Sequence, residues 1–276
     1  MFNVPVAILP QKAEVVMAAL ADRFGIAKLF RANGDAVALD SWDMDDEPAV
    51  YRPYEVCQGI AIIPVTGTLV QKLGTMRPFS GMTGYDGIRA NFSMALADKD
   101  VKGIVLDIDS PGGEVAGCFD LADDIYRARG EKPIRAILTE NAYSAAYALA
   151  SACDDIYVPR TGGTGSVGVI CMHTDLSRAL DQAGITVTII HYGARKADGN
   201  DVSPLSKAAL DRFQDDVDEM GELFVETVAR NRGMKTKAVR NTQATTFLGA
   251  KGVEIGFADA VMAPQKAMAS LLAELG

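Results

Sequence analysis

Three stretches of this chain hold residue types from which a nucleophile, an anion-holding turn and a base can be assembled. The first is Thr139–Cys153, TENAYSAAYALASAC, where a strand-like run, Ile134–Leu138, gives way to a small-residue helical run with Ser144 at its first turn. A hydroxyl on such a corner can be exposed while the backbone N–H groups behind it point the same way, which is what a serine nucleophile needs. The plainer alternative is that Ser144 only caps its helix. The second is Asp109-Ser110-Pro111-Gly112-Gly113, after the strand-like GIVLDID and before a helix. Two glycines there let backbone N–H groups approach a ligand, as half of an oxyanion hole or an anion cradle, or simply make a tight turn. Neither GxGxxG nor GxxxxGK[ST] occurs, so it is no nucleotide fingerprint.

The third is Lys196, in the Gly- and Asp-containing loop HYGARKADGNDVSP. Most lysines on such loops are solvated. A catalytic lysine must be neutral to accept a proton, and burial on substrate binding favours that form. The chain has two histidines, His173 between a strand and a helix and His191 within the strand-like ITVTIIHYG (185–193). A Ser-His-Asp arrangement stays open, but nothing in the pattern singles it out.

These residues need elements that hold them. Apolar runs GIAIIPVTGTLV, GIVLDID, IRAILTE, DIYVP and ITVTIIHYG alternate with helical patterns over 82–97, 115–129, 144–153 and 175–183. Strands alternating with helices predict right-handed crossovers and a largely parallel sheet covered on both faces, an α/β fold. Leu210, Phe213, Val217, Met220, Phe224 and Val228 recur at three- and four-residue steps, predicting one long amphipathic helix that ends near Asn231-Arg232-Gly233. Upstream, 11–29 carries a helical stripe, and 32–53, with SWDMDDEP at its centre, reads as an acidic solvated linker. The expected division is 1–55 as an N-terminal helical and acidic linker segment, 56–264 as the main domain, and 265–276 as a short helical tail.

Composition narrows the classes. With 276 residues, 49% hydrophobic and 23% charged, the chain can fill one large α/β core or two small ones. A net charge of −9 argues against general affinity for nucleic acid or anionic membrane. Cys57, Cys118, Cys153 and Cys171 are scattered, with only His173 near one of them at ligand spacing, so neither a disulfide framework nor a zinc site is expected and a reducing compartment fits. No run of about 18 apolar residues exists, and the N-terminus lacks a basic n-region, so a soluble, cytoplasmic protein is expected.

In order along the chain, GIAIIPVTGTLV, PFSGMTGYDGI, GIVLDIDSPGGEVAG, TGSVGV, HYGARKADGN and GFADAV resemble the signal-peptide-peptidase-A (protease IV) serine peptidases. Within that family they are most similar to the lambda-type phage capsid-assembly proteases, also called minor capsid or head–tail preconnector proteases. The resemblance runs from about Gly59 to Val261. It implies a Clp-protease/crotonase-like fold of repeated ββα/βαβ units and a Ser-Lys dyad. The separation 196 − 144 = 52 equals that of the family's dyad partners, so Ser144 matches the nucleophile and Lys196 the general base. Ser166 matches the residue that orients the lysine, and Gly113 and Ala145 match the backbone donors of the oxyanion hole. Where family members often have Ser-Gly-Gly or Ser-Ala-Gly, this chain has Ser144-Ala145-Ala146.

The resemblance further implies a homo-oligomeric endopeptidase that needs no metal or cofactor. Its protein substrates would be scaffold, portal or the protease itself, cut inside a prohead in the host cytoplasm. Two other readings share the fold: a crotonase-type acyl-CoA enzyme, which would use the glycine turn without Ser144 and Lys196 together, and a non-catalytic ring-forming assembly protein.

Overall fold

A computed structural model describes Arg52–Gly276, together with the backbone of two short strands, Leu29–Phe30 (β1) and Ala36–Val37 (β2), which pair antiparallel. The chain divides into two units, Met1–Tyr51 and Arg52–Gly276. Apart from those four residues and Arg52-Pro53, the stripe over 11–29 and the acidic stretch over 32–53 lie outside the described residues.

The second unit is built on one nine-stranded sheet. Its strands are β3 (Glu55–Cys57), β4 (Ile60–Val70), β5 (Met82–Gly84), β6 (Gly103–Gly113), β7 (Ile134–Tyr143), β8 (Asp155–Val158), β9 (Gly163–Gly165), β10 (Thr246–Leu248) and β11 (Ala260–Val261). The main path runs β10-β9-β7-β6-β4-β3; β5 pairs with β4, and β8 joins β7 to β11. All these pairings are parallel except β3 with β4 and β9 with β10. The helices are α1 (Tyr85–Ala97), α2 (Cys118–Arg127), α3 (Ala145–Ser151), α4 (Ser177–Gln182), α5 (Lys207–Arg232), α6 (Thr236–Arg240), α7 (Ala250–Glu254) and α8 (Pro264–Leu275). The architecture is thus α/β with a mostly parallel sheet flanked by helices.

Both faces of the central strands are covered, which is why those strands read as continuous apolar runs. Ile104, Leu106, Ala136 and Leu138 enter the large core with residues of α1, α2, α3 and α5. Their alternates Val105 and Ile137, with Ile60, meet Ala267 and Leu271 of α8 on the other face. The tail helix is therefore packed against the sheet, and Glu274 on it pairs with Arg135 of β7 at 2.5 Å.

The long helix forms as its pattern predicts. Ser206 caps its start by accepting from Ala209 N at 3.2 Å, and Gly233 ends it at φ 63°, where a side chain would be strained. Its second half is the better packed, through Phe224, Val225, Val228 and Ala229; near the start Ala209 is buried but Leu210 is exposed.

The predicted strand ITVTIIHYG (185–193) does not form in the single chain. Beyond Val167, which is buried in the large core, the chain as far as Leu205 makes a mostly exposed arm whose only regular element is α4. Ile170, Met172, Ile190 and Tyr192 on it are 87% exposed or more. The run has the β-branched residues of a strand but, among the described residues, no neighbouring strand to hydrogen-bond with, and an isolated strand does not hold itself.

The start of the unit is held by a charge cluster. Arg52 bonds Asp98 at 2.6 Å and Asp100 at 2.5 Å, and Tyr54 donates to Asp98 at 3.1 Å. The Arg52 guanidinium holds the Asp98 carboxyl well below the usual carboxylate range. Because the folded-state value is depressed, this support is present above the unfolded pKa of about 4 and is lost as pH falls through the folded value. Asp98→Asn is expected to lower the melting temperature at pH 7, with the gap from wild type narrowing as the pH is taken below about 4. A pH series of thermal melts checks this.

Candidate active site

Helix α3 is buried along its whole length, Ala145 through Ser151. Five of its seven residues are alanine or serine, so it can press close against β6 and α2. Tyr147 fills the deeper space, stacked on Phe257 at 4.8 Å with its hydroxyl donating to Phe257 O. At the far end the carbonyls of Ser151 and Ala152 accept from Arg129 at 2.9 and 2.8 Å, and Cys153 O accepts from it too. A cation among the last carbonyls satisfies acceptors that have no intrahelical partner and complements the helix dipole. The helix is thereby fixed at one end, and Ser144 stands at the other.

Ser144 occupies the N-cap position at φ 52° and ψ −125°, a left-handed backbone that an L side chain rarely adopts. Its carbonyl accepts from Tyr147 N and Ala148 N, but its hydroxyl makes no capping bond. The side chain of this half-buried residue is therefore not committed to the helix. Its own N–H donates to Gly165 O at 2.9 Å, which ties the corner to β9. Ser166, the next residue, also has positive φ (56°) and donates its N–H to Thr245 O at 3.1 Å.

The strand expected to end at Asp109 runs on to Gly113, so the glycine turn is the bulged end of β6 itself, paired with Thr68 and Leu69 of β4, and it meets the same corner. A Cβ on Gly112, whose φ is 103°, would lie 2.7 Å from Ser144 Cβ, 2.9 Å from Tyr143 O and 3.1 Å from Ala145 N. A Cβ on Gly113 would fall 1.9 Å from Leu69 O of β4. Glycine is required at both positions by close approach, at Gly112 to the serine corner itself. Ala145 begins α3, so its N–H has no intrahelical acceptor and belongs to the set of donors that face out of a helix start.

Ser144, Ala145, the Gly112-Gly113 turn and Ser166 thus come together at the C-terminal ends of β6, β7 and β9. Lys196 does not join them within one chain. It is exposed in a turn on the arm, with its N–H bonded to Gly193 O at 3.1 Å, and among the described residues its ammonium makes no hydrogen bond or salt bridge. That turn is anchored to α5 by Asp198, paired with Arg212, and by Gly199 packed on Phe213. The histidines serve the arm's own backbone: His173 Nε2 lies 2.9 Å from Asn200 O and His191 Nδ1 2.9 Å from Gly193 O. Neither is bonded to Ser144. Of the cysteines nearest α3, Cys118 has its thiol pushed up to about 12 by burial, and burial drives Cys153 in the same direction, so both stay protonated thiols.

Two residues in this arrangement carry no signal of their own in the sequence. Gly165 supplies the carbonyl that holds the serine's N–H, and Ser110, 1% exposed, has its hydroxyl inside the glycine turn. Their partners lie far along the chain, so only the fold reveals them.

The fold and the site define an α/β protein with a strained serine corner set against a glycine turn at the ends of its mostly parallel strands. The chain belongs to peptidase family S49, whose model matches residues 127–276. It is 44% identical over 266 residues to the head-tail preconnector protein GP5 of Enterobacteria phage P21, an alignment covering 94% of this chain and 53% of that protein. It is 39% identical over 267 residues to capsid assembly protease C of Escherichia phage lambda, covering 94% and 61%. Protease 4 of Haemophilus influenzae is more distant, 26% identical over 215 residues, 75% of this chain and 33% of that one. The chain therefore spans between half and two thirds of the length of the two phage relatives. Among solved structures, ClpP1 of Listeria monocytogenes aligns with 73% of this chain and 90% of its own at 10% identity and a TM-score of 0.43. Among the described residues no helix is long and apolar enough to cross a membrane.

Proposed function

We propose that this chain is a serine endopeptidase in which Ser144 is the nucleophile and Lys196 its general base. The observation that carries the reading is Ser144 itself: a strained φ, a hydroxyl free of the capping role, and a glycine pressed against its Cβ. Strain of this kind persists only where the surroundings impose it, and it concentrates at reacting groups. Neutral Lys196 takes the hydroxyl proton as Oγ attacks the peptide carbonyl. The N–H groups of Gly113 and Ala145 hold the oxyanion, Ser166 orients the lysine, and water then hydrolyses the acyl-enzyme. The reaction uses no metal or cofactor. Its substrates, by similarity to the phage relatives, are capsid-assembly proteins (scaffold, portal or the protease itself) inside a prohead.

For the dyad to close, the arm bearing Lys196 must be brought onto the Ser144 corner. Its exposed Ile170, Met172, Ile190 and Tyr192, and the half-covered first part of α5, leave an apolar surface that no described residue of the same chain buries. A second copy of this chain is the occupant that fits, since β-branched runs without ladder partners are satisfied by pairing across copies. Replacing both Ile170 and Ile190 by aspartate is expected to shift the protein to monomers in sedimentation velocity and to lower peptidase activity at least about tenfold. Loss of assembly with undiminished activity would show that the arm does not serve the dyad.

Co-expression with portal and scaffold proteins, wild type against Ser144→Ala, tests the function. Intact mass should show defined fragments of at least one of those proteins, or of the chain itself, with wild type only. Identical masses in both cultures would contradict the reading.

A further inference from the structure

We propose that Ser110 is a positioning residue that aims the oxyanion-binding turn; this rests on Ser144 being the nucleophile. Ser110 lies in β6 directly before Pro111-Gly112-Gly113 and is 1% exposed. Its hydroxyl donates to Gly67 O at 2.7 Å and accepts from Gly112 N at 3.1 Å. Both bonds fall where the ladders are irregular. The register of β4 on β6 shifts between Thr66 and Thr68, and that of β6 on β7 shifts between Ile108 and Ser110. A bulge disrupts the ladder locally, and at its edge, where Gly112 pairs with Thr68, one buried hydroxyl bonds the Gly67 carbonyl and the Gly112 amide together.

Gly67 cannot yield to accommodate a loss of that bond. Its φ is 67°, a Cβ there would lie 2.1 Å from Gly81 O, and Thr68 N is bonded to the same Gly81 O at 2.9 Å. The hydroxyl of Thr83 holds Thr66 O at 2.6 Å on the other side. The bulge is thus a rigid post, and Ser110 ties the glycine turn to it. The consequence for the turn is specific. Gly112 N–H is occupied by Ser110, and Glu114 N–H is occupied by Leu69 O at 2.9 Å. The proposed oxyanion donor, Gly113 N–H, lies between these two held amides, and its direction is set by the peptide that Ser110 holds. Without that bond, the Gly112 peptide touching Ser144 can rotate and carry the Gly113 N–H off its line.

The test uses the full, assembled chain and a fluorophosphonate-rhodamine probe, so no natural substrate is needed. Ser144 Oγ forms the bond to phosphorus, fluoride leaves, the base takes the proton, and the phosphoryl oxygen sits where an oxyanion would. Ser110→Ala is expected to slow the maximal labelling rate about 10- to 100-fold, with the probe's half-saturating concentration within about threefold of wild type. Ser110→Cys keeps the volume with a much weaker donor and should move the rate in the same direction if the alanine variant does not fold. Thr227→Ala removes another buried hydroxyl, bonded to Leu223 O at 2.8 Å, and should lower the melting temperature without slowing labelling. A wild-type rate in a folded Ser110→Ala or Ser110→Cys, a change confined to half-saturation, or an equal slowing in Thr227→Ala would each overturn the proposal. Labelling that survives in Ser144→Ala would instead overturn the assignment of the nucleophile.

Discussion

Ser144→Ala is expected to reduce peptide cleavage by on the order of 10⁵- to 10⁶-fold, the loss typical when a serine nucleophile is removed, while leaving the fold unchanged. The fold should survive because of the cap geometry. Replacing a capping serine by alanine ordinarily costs about 1 kcal/mol because a helix N–H loses its acceptor. Here the Ser144 side chain makes no capping bond, and the contacts that hold the corner, to Gly165 O, Tyr147 N and Ala148 N, are all made by the backbone. Alanine inherits the same positive φ and the same contacts. Lys196→Ala is expected to reach a comparable loss, and the double variant to be no worse than either, because two groups that act as one unit are not additive. Turnover of a cleaved protein substrate, read beside thermal melts of the same preparations, checks both halves.

Gly112→Ala is expected to have the second-largest effect, and of a different kind. The added methyl would stand 2.7 Å from Ser144 Cβ and 2.9 Å from Tyr143 O, at a φ of 103° that alanine does not tolerate. Neither neighbour can retreat, because Tyr143 ends a strand laddered to β9 and Ser144 is the N-cap of a helix pinned at its other end by Arg129. Stability should fall by about 1–3 kcal/mol. Activity should fall further than that loss accounts for, by about 10²- to 10³-fold, since a displacement of about 1 Å at reacting groups already costs roughly 10²-fold. A variant with lowered melting temperature and wild-type turnover would mean that the turn is only structural.

How much of this was legible before the fold depends on whether a feature is local. The alternation of apolar runs with helical stripes predicted the parallel sheet, and it formed because each central strand is buried on both faces. The end of α5 at Gly233 was equally readable, since a C-terminal glycine acts on its own turn. The run 185–193 was misread in the single chain for the opposite reason: its β-branched residues describe a strand, but a strand needs a neighbour, and the sequence does not say whether one exists. At the site, the glycines of SPGG and the serine corner were visible as types. That Gly112 rather than Gly113 touches the serine, that Gly165 holds its amide, and that Ser110 has a hydroxyl inside the turn all depend on register between β4, β6, β7 and β9. Nothing in the sequence of one strand encodes its register against another one forty residues away.

The lysine marks the same boundary. Its spacing from Ser144 comes from family likeness, while its place in one chain is a solvent-exposed turn. The sheet thus positions the serine corner and the paired glycines, and the proposed dyad would be completed by the arm packing on a second copy.

The most direct test of the central claim is the mass of the fluorophosphonate adduct on the assembled protein, located by peptide mapping. One adduct per chain on Ser144 is predicted, absent in Ser144→Ala and formed at least about a hundredfold more slowly in Lys196→Ala. An adduct on any other residue, or an undiminished rate in Lys196→Ala, would contradict a Ser144–Lys196 peptidase.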